Sequence, residues 1–523
     1  MNLPFSRSAA ALSLSALAAL TALTTPPAAA ADATDPPACK YVQVAKLPLQ
    51  YTGPALQVTT VGSIDNTPAI MLVDTGAWQT VLTRTGTERR DMFLRNTGKH
   101  ARGVGGIARI YETRVKEFST GVTASGRGYM QVLTDFGSPP AYDAIIGAPF
   151  LLQTDLEISL ATKEMKFFRP VDCKNHFLAY WSPEAIVLPF EYGSDSSPNP
   201  RFTVTINGVK MVAIIDTGAA TTAITLRAAK RAGLRLDAPG VTRMGVAYGV
   251  GDHKAARWRT SFDTFQIGDE TVRNAEVSVI DYDNDIDVLL GDDFLRSHRV
   301  LFAMSQKKIY LSYLGGEPFG QRRKLEPWIT AEAEAGNADA QMALADIHMR
   351  GRLVPKDAVR GAALLEQAAS GGNPAANILT GRRMMQRGLV PEAATRLRAG
   401  LDKLPSNRSA ALWLYLARLR TGQPELAATE LKANFARNED DEWPGPIADF
   451  YLGKINAQAL LKAAAGDNAS ARTRTCHALA AMAEWQGARG EKEESQALGL
   501  RLKEGCAAPP DGPAAAPNLA APG

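Results

Sequence analysis

Met71-Leu72-Val73-Asp74-Thr75-Gly76-Ala77 returns, at an offset of 142, as Ala213-Ile214-Ile215-Asp216-Thr217-Gly218-Ala219. Two further segments recur in the same order. Gly103-Val104-Gly105 is matched by Gly249-Val250-Gly251 at an offset of 146. Asp143-Ala144-Ile145-Ile146-Gly147-Ala148-Pro149-Phe150-Leu151 is matched by Asp287-Val288-Leu289-Leu290-Gly291-Asp292-Asp293-Phe294-Leu295 at an offset of 144. A lone Asp-Thr-Gly often marks a plain turn. Two copies inside a co-linear duplication predict two halves of one architecture.

The flanking sequence is strand-like. Phe202-Thr203-Val204-Thr205-Ile206 alternates apolar and polar, Asn207-Gly208 is a hairpin turn, and residues 211–215 run apolar into the motif. Residues 57–64 and 70–73 repeat this around Asp65-Asn66. Each half therefore reads as short strands with one short helix after the motif, over residues 226–232 in the second. Each half is expected to bury a core of its own.

The motif set resembles the retropepsin-type aspartic proteases, the retroviral-protease-like branch of the pepsin superfamily, over about residues 50–315. The resemblance implies a bilobed, mostly-β fold, with lobe 1 at 40–175 and lobe 2 at 180–318 and a cleft between them. It implies Asp74 and Asp216 as the catalytic pair. Thr75 and Thr217, with hydroxyls bonded across the lobe interface, and Gly76 and Gly218 would support the two loops. Gly103, Val104 and Gly105, with Gly249, Val250 and Gly251, are the flap candidates, since they follow the two aspartates at nearly equal spacing. Ordinary hairpin turns are the other reading of such glycines. Ile145-Ile146-Gly147 and Leu289-Leu290-Gly291 match the segment that packs beneath the catalytic loop. Both motifs lie on one chain, so the resemblance implies a monomeric pseudo-dimer; pairing of lobes between two chains is the alternative.

The residue types suit that chemistry. Two carboxylates held together cannot both ionise easily, so they share a proton. One then acts as general base on water while the other polarises the scissile carbonyl. A glycine after each Asp-Thr lets the backbone approach closely. Peptide or protein is the implied substrate, and no cofactor or metal is required. Two departures from the family pattern stand out. Trp78 occupies a place where the family commonly has a small polar residue, and a core-filling role is the commoner one for an indole. Asp292-Asp293 reads as an acidic pair at a helix start.

Residues 1–31 read as a secretory signal peptide. Arg7 is basic, residues 9–23 are apolar or small, and Ala28-Ala29-Ala30 suits cleavage. The apolar run is shorter than the ~20 residues that span a bilayer, and no later segment is apolar enough to do so. A periplasmic or secreted protein is expected. Export makes the four cysteines disulfide candidates. Cys39 and Cys173 bracket the first lobe. Cys476 and Cys506 bracket a turn at 487–493, where an antiparallel helix pair would bring them level. These two pairings are favoured among the three that four cysteines allow.

From Trp328 the texture becomes Ala-rich and helix-periodic. Gly336-Asn337-Ala338-Asp339-Ala340 recurs as Gly372-Asn373-Pro374-Ala375-Ala376, a period of 36. This resembles a Sel1-type repeat, a relative of the tetratricopeptide repeat, and predicts an α-helical repeat domain over 326–506. Such arrays offer a concave surface for peptides or proteins; bracing of the β lobes is the other reading. The Pro/Ala-rich tail at 507–523 is expected to be disordered.

With 58 Lys and Arg against 54 Asp and Glu, the net charge of +4 over 523 residues offers no clustered basic face for nucleic acid. The sequence therefore predicts an exported aspartic endopeptidase with a helical docking domain. The rival is a non-catalytic adaptor that binds peptides without cutting them.

Overall fold

The computed structural model describes residues 38–121, 124–125, 127–136, 140–193, 198–251, 255–319, 324–436, 443–465 and 471–506. The expected leader at 1–31 and tail at 507–523 lie outside the described residues.

Each half is founded on a tight hairpin. Gln57–Ile64 pairs with Thr67–Asp74, and Pro200–Ile206 with Val209–Ile215. The turns need positive φ at both central residues, which Asp65 and Asn66 supply at 50° and 61°, and Asn207 and Gly208 at 47° and 79°. Phe202, Val204 and Ile206 face inward while Thr203 is exposed, as the alternation requires. A short strand and helix follow each motif: Val81–Thr83 with Arg84–Glu88, and Ala223–Thr225 with Leu226–Arg231. Thr83 and Thr225, at the same offset as the two aspartates, cap these helices by accepting from the backbone N–H of Gly86 and Ala228. Each half adds a second, one-turn helix, Ala148–Leu151 and Asp292–Leu295; the acidic pair Asp292-Asp293 opens the latter as expected, and the former was not anticipated.

The two halves do not close separate cores. A six-stranded sheet runs in the order Lys40–Pro48, Glu164–Val171, Asp155–Ser159, His298–Ala303, Lys308–Tyr313, Ile186–Pro189, three strands from each half. At its middle Leu156 lies opposite Phe302 and Ile158 opposite Val300. Every residue of Asp155–Ser159 is buried. Left alone, each half would present this central strand as an unpaired edge. Pairing the two edges merges the apolar interiors, so one cluster runs from Val73 and Ile146 through Leu156 and Phe302 to Ile215 and Leu290.

Both disulfides have the favoured pairing. Cys39–Cys173 ties the first strand of the shared sheet to the chain just after its antiparallel partner. Cys476–Cys506 joins the helices Ala471–Ala488 and Lys492–Cys506.

Residues 327–506 are helical wherever a regular element is described. The period of 36 has a local cause. Gly336 and Gly372 sit at φ 90° and 83°, ending one helix. Asn337 and Asn373 then cap the next, Ala338–Arg350 and Pro374–Gln386, by accepting from backbone N–H groups. The first helices of this region are fixed to the β body. Ala333, Ala340 and Leu344 join its apolar cluster, and the Trp328 ring lies 4.8 Å from that of Tyr51. The Asn337 side chain donates to the Tyr51 carbonyl (3.0 Å), and Gly53 N–H donates to the Asp339 carboxylate (2.8 Å).

Chain-entropy arguments rank the two disulfides, since their sequence separations are 134 and 30. These are worth about 5 and about 3.5 kcal/mol. The pair of substitutions Cys39→Ser and Cys173→Ser should therefore lower the thermal midpoint more than Cys476→Ser with Cys506→Ser, as read by calorimetry.

Candidate active site

The strands Thr67–Asp74 and Val209–Ile215 deliver Asp74 and Asp216 to the line where the halves meet. Beneath each runs a parallel neighbour. Ile145, Ile146 and Gly147 lie opposite Leu72, Val73 and Asp74, and Val288, Leu289 and Leu290 opposite Ala213, Ile214 and Ile215. Gly147 and Gly291 donate their N–H groups to the hydroxyls of Thr80 and Thr222, both at 3.1 Å. A Cβ on either glycine would lie 2.4 Å from a backbone oxygen of its own half, at Gln79 or Ala219. Only glycine fits there.

Thr75 and Thr217 lock the loops together. Thr75 N–H donates to the Thr217 hydroxyl (3.0 Å) and Thr217 N–H to the Thr75 hydroxyl (3.2 Å). The hydroxyls in turn donate to the carbonyls of Ile215 (2.7 Å) and Val73 (2.6 Å) on the opposite strands. Both threonines are buried. A Cβ on Gly76 would fall 2.5 Å from the Asp216 carboxyl carbon, and one on Gly218 2.4 Å from that of Asp74. Each aspartate thus rests on the glycine of the other loop.

The two carboxyls are hydrogen-bonded to each other within one chain. Asp74 also accepts from Gly76 N–H (2.9 Å) and Ala77 N–H (2.7 Å), and Asp216 from Gly218 N–H (2.9 Å). Burial raises both above the ordinary carboxylate range, and the neighbouring Asp216 charge lifts Asp74 further. The backbone donors oppose that rise. Such a pair holds one proton between two groups and titrates as a unit. A phenol stands near each carboxyl: burial and then the Asp74 charge raise Tyr142, and burial and then the Asp216 charge raise Tyr282.

The glycine-rich segments lie at hairpin tips that touch. Arg95–Gly103 pairs with Gly106–Val115, and Thr242–Ala247 with Ala255–Ile267. Gly105 N–H donates to the Val250 carbonyl and Gly251 N–H to the Asp135 carbonyl, both at 2.9 Å. Gly249 comes against Val104, where a Cβ would stand 3.1 Å from the valine Cβ. Val250 packs with Phe136 and Ala77 against one apolar cluster. Beside Tyr282 a cavity of about 500 Å³ opens, lined by Arg102, Arg227, Asp283, Asn284 and Asp285.

Three features differ from the sequence reading or were absent from it. Trp78 is 46% exposed, because the chain has left the strand as a turn there, so it does not fill the lobe core. Asp292 and Asp293 open a helix as expected, and both are buried there. Asp293 accepts from the N–H (2.7 Å) and hydroxyl (2.6 Å) of Thr222. Asp292 has no hydrogen-bond partner for its carboxylate among the described residues, and burial pushes it well above the carboxylate range against the pull of Arg296. The Tyr282–Asp285 loop carried no motif. Asp143 and Asp287, by contrast, were visible in the repeat and carried no assigned role. Each accepts from a backbone N–H of the hairpin (Ile70 and Val212) and pairs with arginine. Among the described residues no cluster of three His, Cys, Asp or Glu could hold a metal ion.

Residues 202–297 match the family described as gag-polyprotein putative aspartyl protease. Solved structures similar to this chain include the aspartic proteinase from Irpex lacteus, at 14% identity and a TM-score of 0.34 over 54% of this chain and 100% of that one. Basic 7S globulin from soybean is similar at 11% identity and a TM-score of 0.31, over 53% and 98%. The family match covers the second half of the β body.

Raised carboxyl pKa values have a stability consequence with a definite sign. The stability that the shared proton contributes is present below the unfolded-state value of about 4 and is lost as pH rises through the folded values. Asp74→Asn, which does not titrate, should therefore match the wild type near pH 3 to within about 1 °C and exceed it by several degrees near pH 7. Thermal melts across that range check this.

Proposed function

We propose that the protein is an exported aspartic endopeptidase whose dyad is Asp74 and Asp216, with residues 40–175 and 180–318 as its lobes. The observation that supports this most is the hydrogen-bonded carboxyl pair held between two mutually locked Asp-Thr-Gly loops of a single chain. In the reaction, the ionised carboxylate takes a proton from water as the water oxygen bonds to the scissile carbonyl carbon. The protonated carboxyl gives its proton to the carbonyl oxygen. Collapse of the tetrahedral species breaks the C–N bond, the amine leaves with a proton from the dyad while a hydroxyl of the gem-diol returns its proton to the dyad as C=O re-forms, and the pair is left with one proton as at the start. The touching tips at Gly103–Gly105 and Gly249–Gly251 act as paired flaps, and the cavity beside Tyr282 receives part of the substrate.

Export is supported by the two disulfides. Among the described residues no helix is long and apolar enough to cross a membrane. We read residues 326–506 as a Sel1- or tetratricopeptide-like array that docks a protein substrate or partner. Contacts of its first helices with Tyr51 and Gly53 support a placement beside the first lobe.

Asp74→Asn and Asp216→Asn should each lower cleavage of a mixed peptide library by about a thousandfold or more while leaving circular dichroism unchanged. Full activity in either variant overturns the intramolecular dyad. In the wild type, kcat/KM should fall on the alkaline side as the shared proton is lost, and the raised carboxyls place that fall above the ordinary value of about 4.

A further inference from the structure

Two primary amides cross between the halves. Gln57 opens the strand Gln57–Ile64, and Asn199 immediately precedes Pro200–Ile206. Their offset in sequence equals that of the two aspartates, so each precedes the aspartate of its own half by the same interval. Their side chains turn the other way. Gln57 Nε2 donates to the Gly218 carbonyl in the second half (3.3 Å), and Asn199 Nδ2 donates to the Thr75 carbonyl in the first (2.5 Å). Asn199 is 5% exposed. The Gln57 amide also opposes the rise that burial and the Asp74 charge give the Tyr142 hydroxyl.

The accepting carbonyls belong to particular peptide groups. Thr75 C=O shares its peptide plane with Gly76 N–H, which donates to the Asp74 carboxylate at 2.9 Å. Gly218 C=O shares its plane with Ala219 N–H, which donates to the Asp216 main-chain carbonyl at 3.2 Å and also lowers the Asp216 carboxyl. A rigid peptide plane bonded at its oxygen is fixed in direction at its nitrogen. A donor at the oxygen also polarises the N–H and strengthens the bond it makes. The threonine exchange holds the N–H groups and hydroxyls of Thr75 and Thr217 but leaves these two carbonyls to other donors.

We propose that Gln57 and Asn199 are crossed positioning residues, each orienting, through one peptide plane, the catalytic carboxylate of the opposite half. Asn199 sets Asp74 and Gln57 sets Asp216. The catalytic consequence rests on the peptidase reading; the crossed mechanical coupling does not.

Gln57→Met and Asn199→Leu keep side-chain bulk and remove the donor. On the full-length protein, each should lower kcat about three- to tenfold with KM changed less than about twofold, the effect of losing one hydrogen bond. Gln57→Lys, which restores an N–H donor, should recover most of that loss. Hydrogen exchange read by mass spectrometry supplies the second readout. Asn199→Leu should speed exchange at Gly76 and Ala77, and Gln57→Met at Gly218 and Ala219, each in the half that was not altered. If Asn199→Leu does not fold, Asn199→Ala reads the same loop. Exchange that is unchanged, or faster only in the substituted half, overturns the proposal, as does an unaltered kcat in an active enzyme. A wild type that cleaves no peptide yet shows the crossed exchange pattern would defeat the peptidase reading and leave the coupling standing.

Discussion

Four hydrogen bonds donated across the halves by Thr75 and Thr217 hold this molecule at its centre. Each threonine gives its N–H to the hydroxyl of the other and its own hydroxyl to a carbonyl of the opposite strand, Ile215 or Val73. The exchange is possible only if both Asp-Thr loops approach to backbone contact, which is why glycine follows each threonine. That approach brings two carboxyls together. Their mutual repulsion would separate free side chains, but here the backbone is already pinned, so the cost appears as a retained proton instead. Structure and reactivity thus have one origin: the loops are fixed first, and the acid–base character of the pair follows from the confinement.

The duplication was legible because it leaves a mark at short range. A turn that needs positive φ selects Asp-Asn or Asn-Gly, and a helix start selects threonine or asparagine. A glycine against a carbonyl admits nothing larger. Each of these requirements acts on one or two residues, so the pattern survives in sequence. The shared sheet was not legible. The burial of Leu156 and Ile158 is the same whether the strand opposite comes from one half or the other, and register between strands so far apart in the chain leaves no local trace. For the same reason the burial of Asp292 and Asp293 was not legible, although their place at a helix start was. Their burial depends on what the merged core places around them, which no neighbouring residue announces. The Tyr282–Asp285 loop escaped because its partner Arg102 arrives from a distant hairpin.

The helical region shows the converse case. Its repeat was readable, since Gly336-Asn337 and Gly372-Asn373 each combine a helix stop with the next start. What the repeat does to the β body was not. Asn337 both caps its own helix and donates to the Tyr51 carbonyl, and Asp339 accepts from Gly53. These two side chains make the first repeat part of the wall of lobe 1, close in sequence to Gln57. The first helices of the array are therefore packed on the same β body that carries the Asp-Thr-Gly loops.

The axis between the halves also sorts which residues the two copies still share. The two copies remain alike at the locking loops and their local supports, as at Asp-Thr-Gly-Ala, Thr80 and Thr222, or Thr83 and Thr225. Elsewhere they differ: Trp78 faces solvent where its counterpart is Ala220, and Ala148-Pro149 stands opposite Asp292-Asp293. A residue that bonds its own image across a twofold axis cannot change alone, because the substitution leaves an orphaned group on the other side. The pseudo-symmetry that remains is a map of the contacts that could not be broken one at a time.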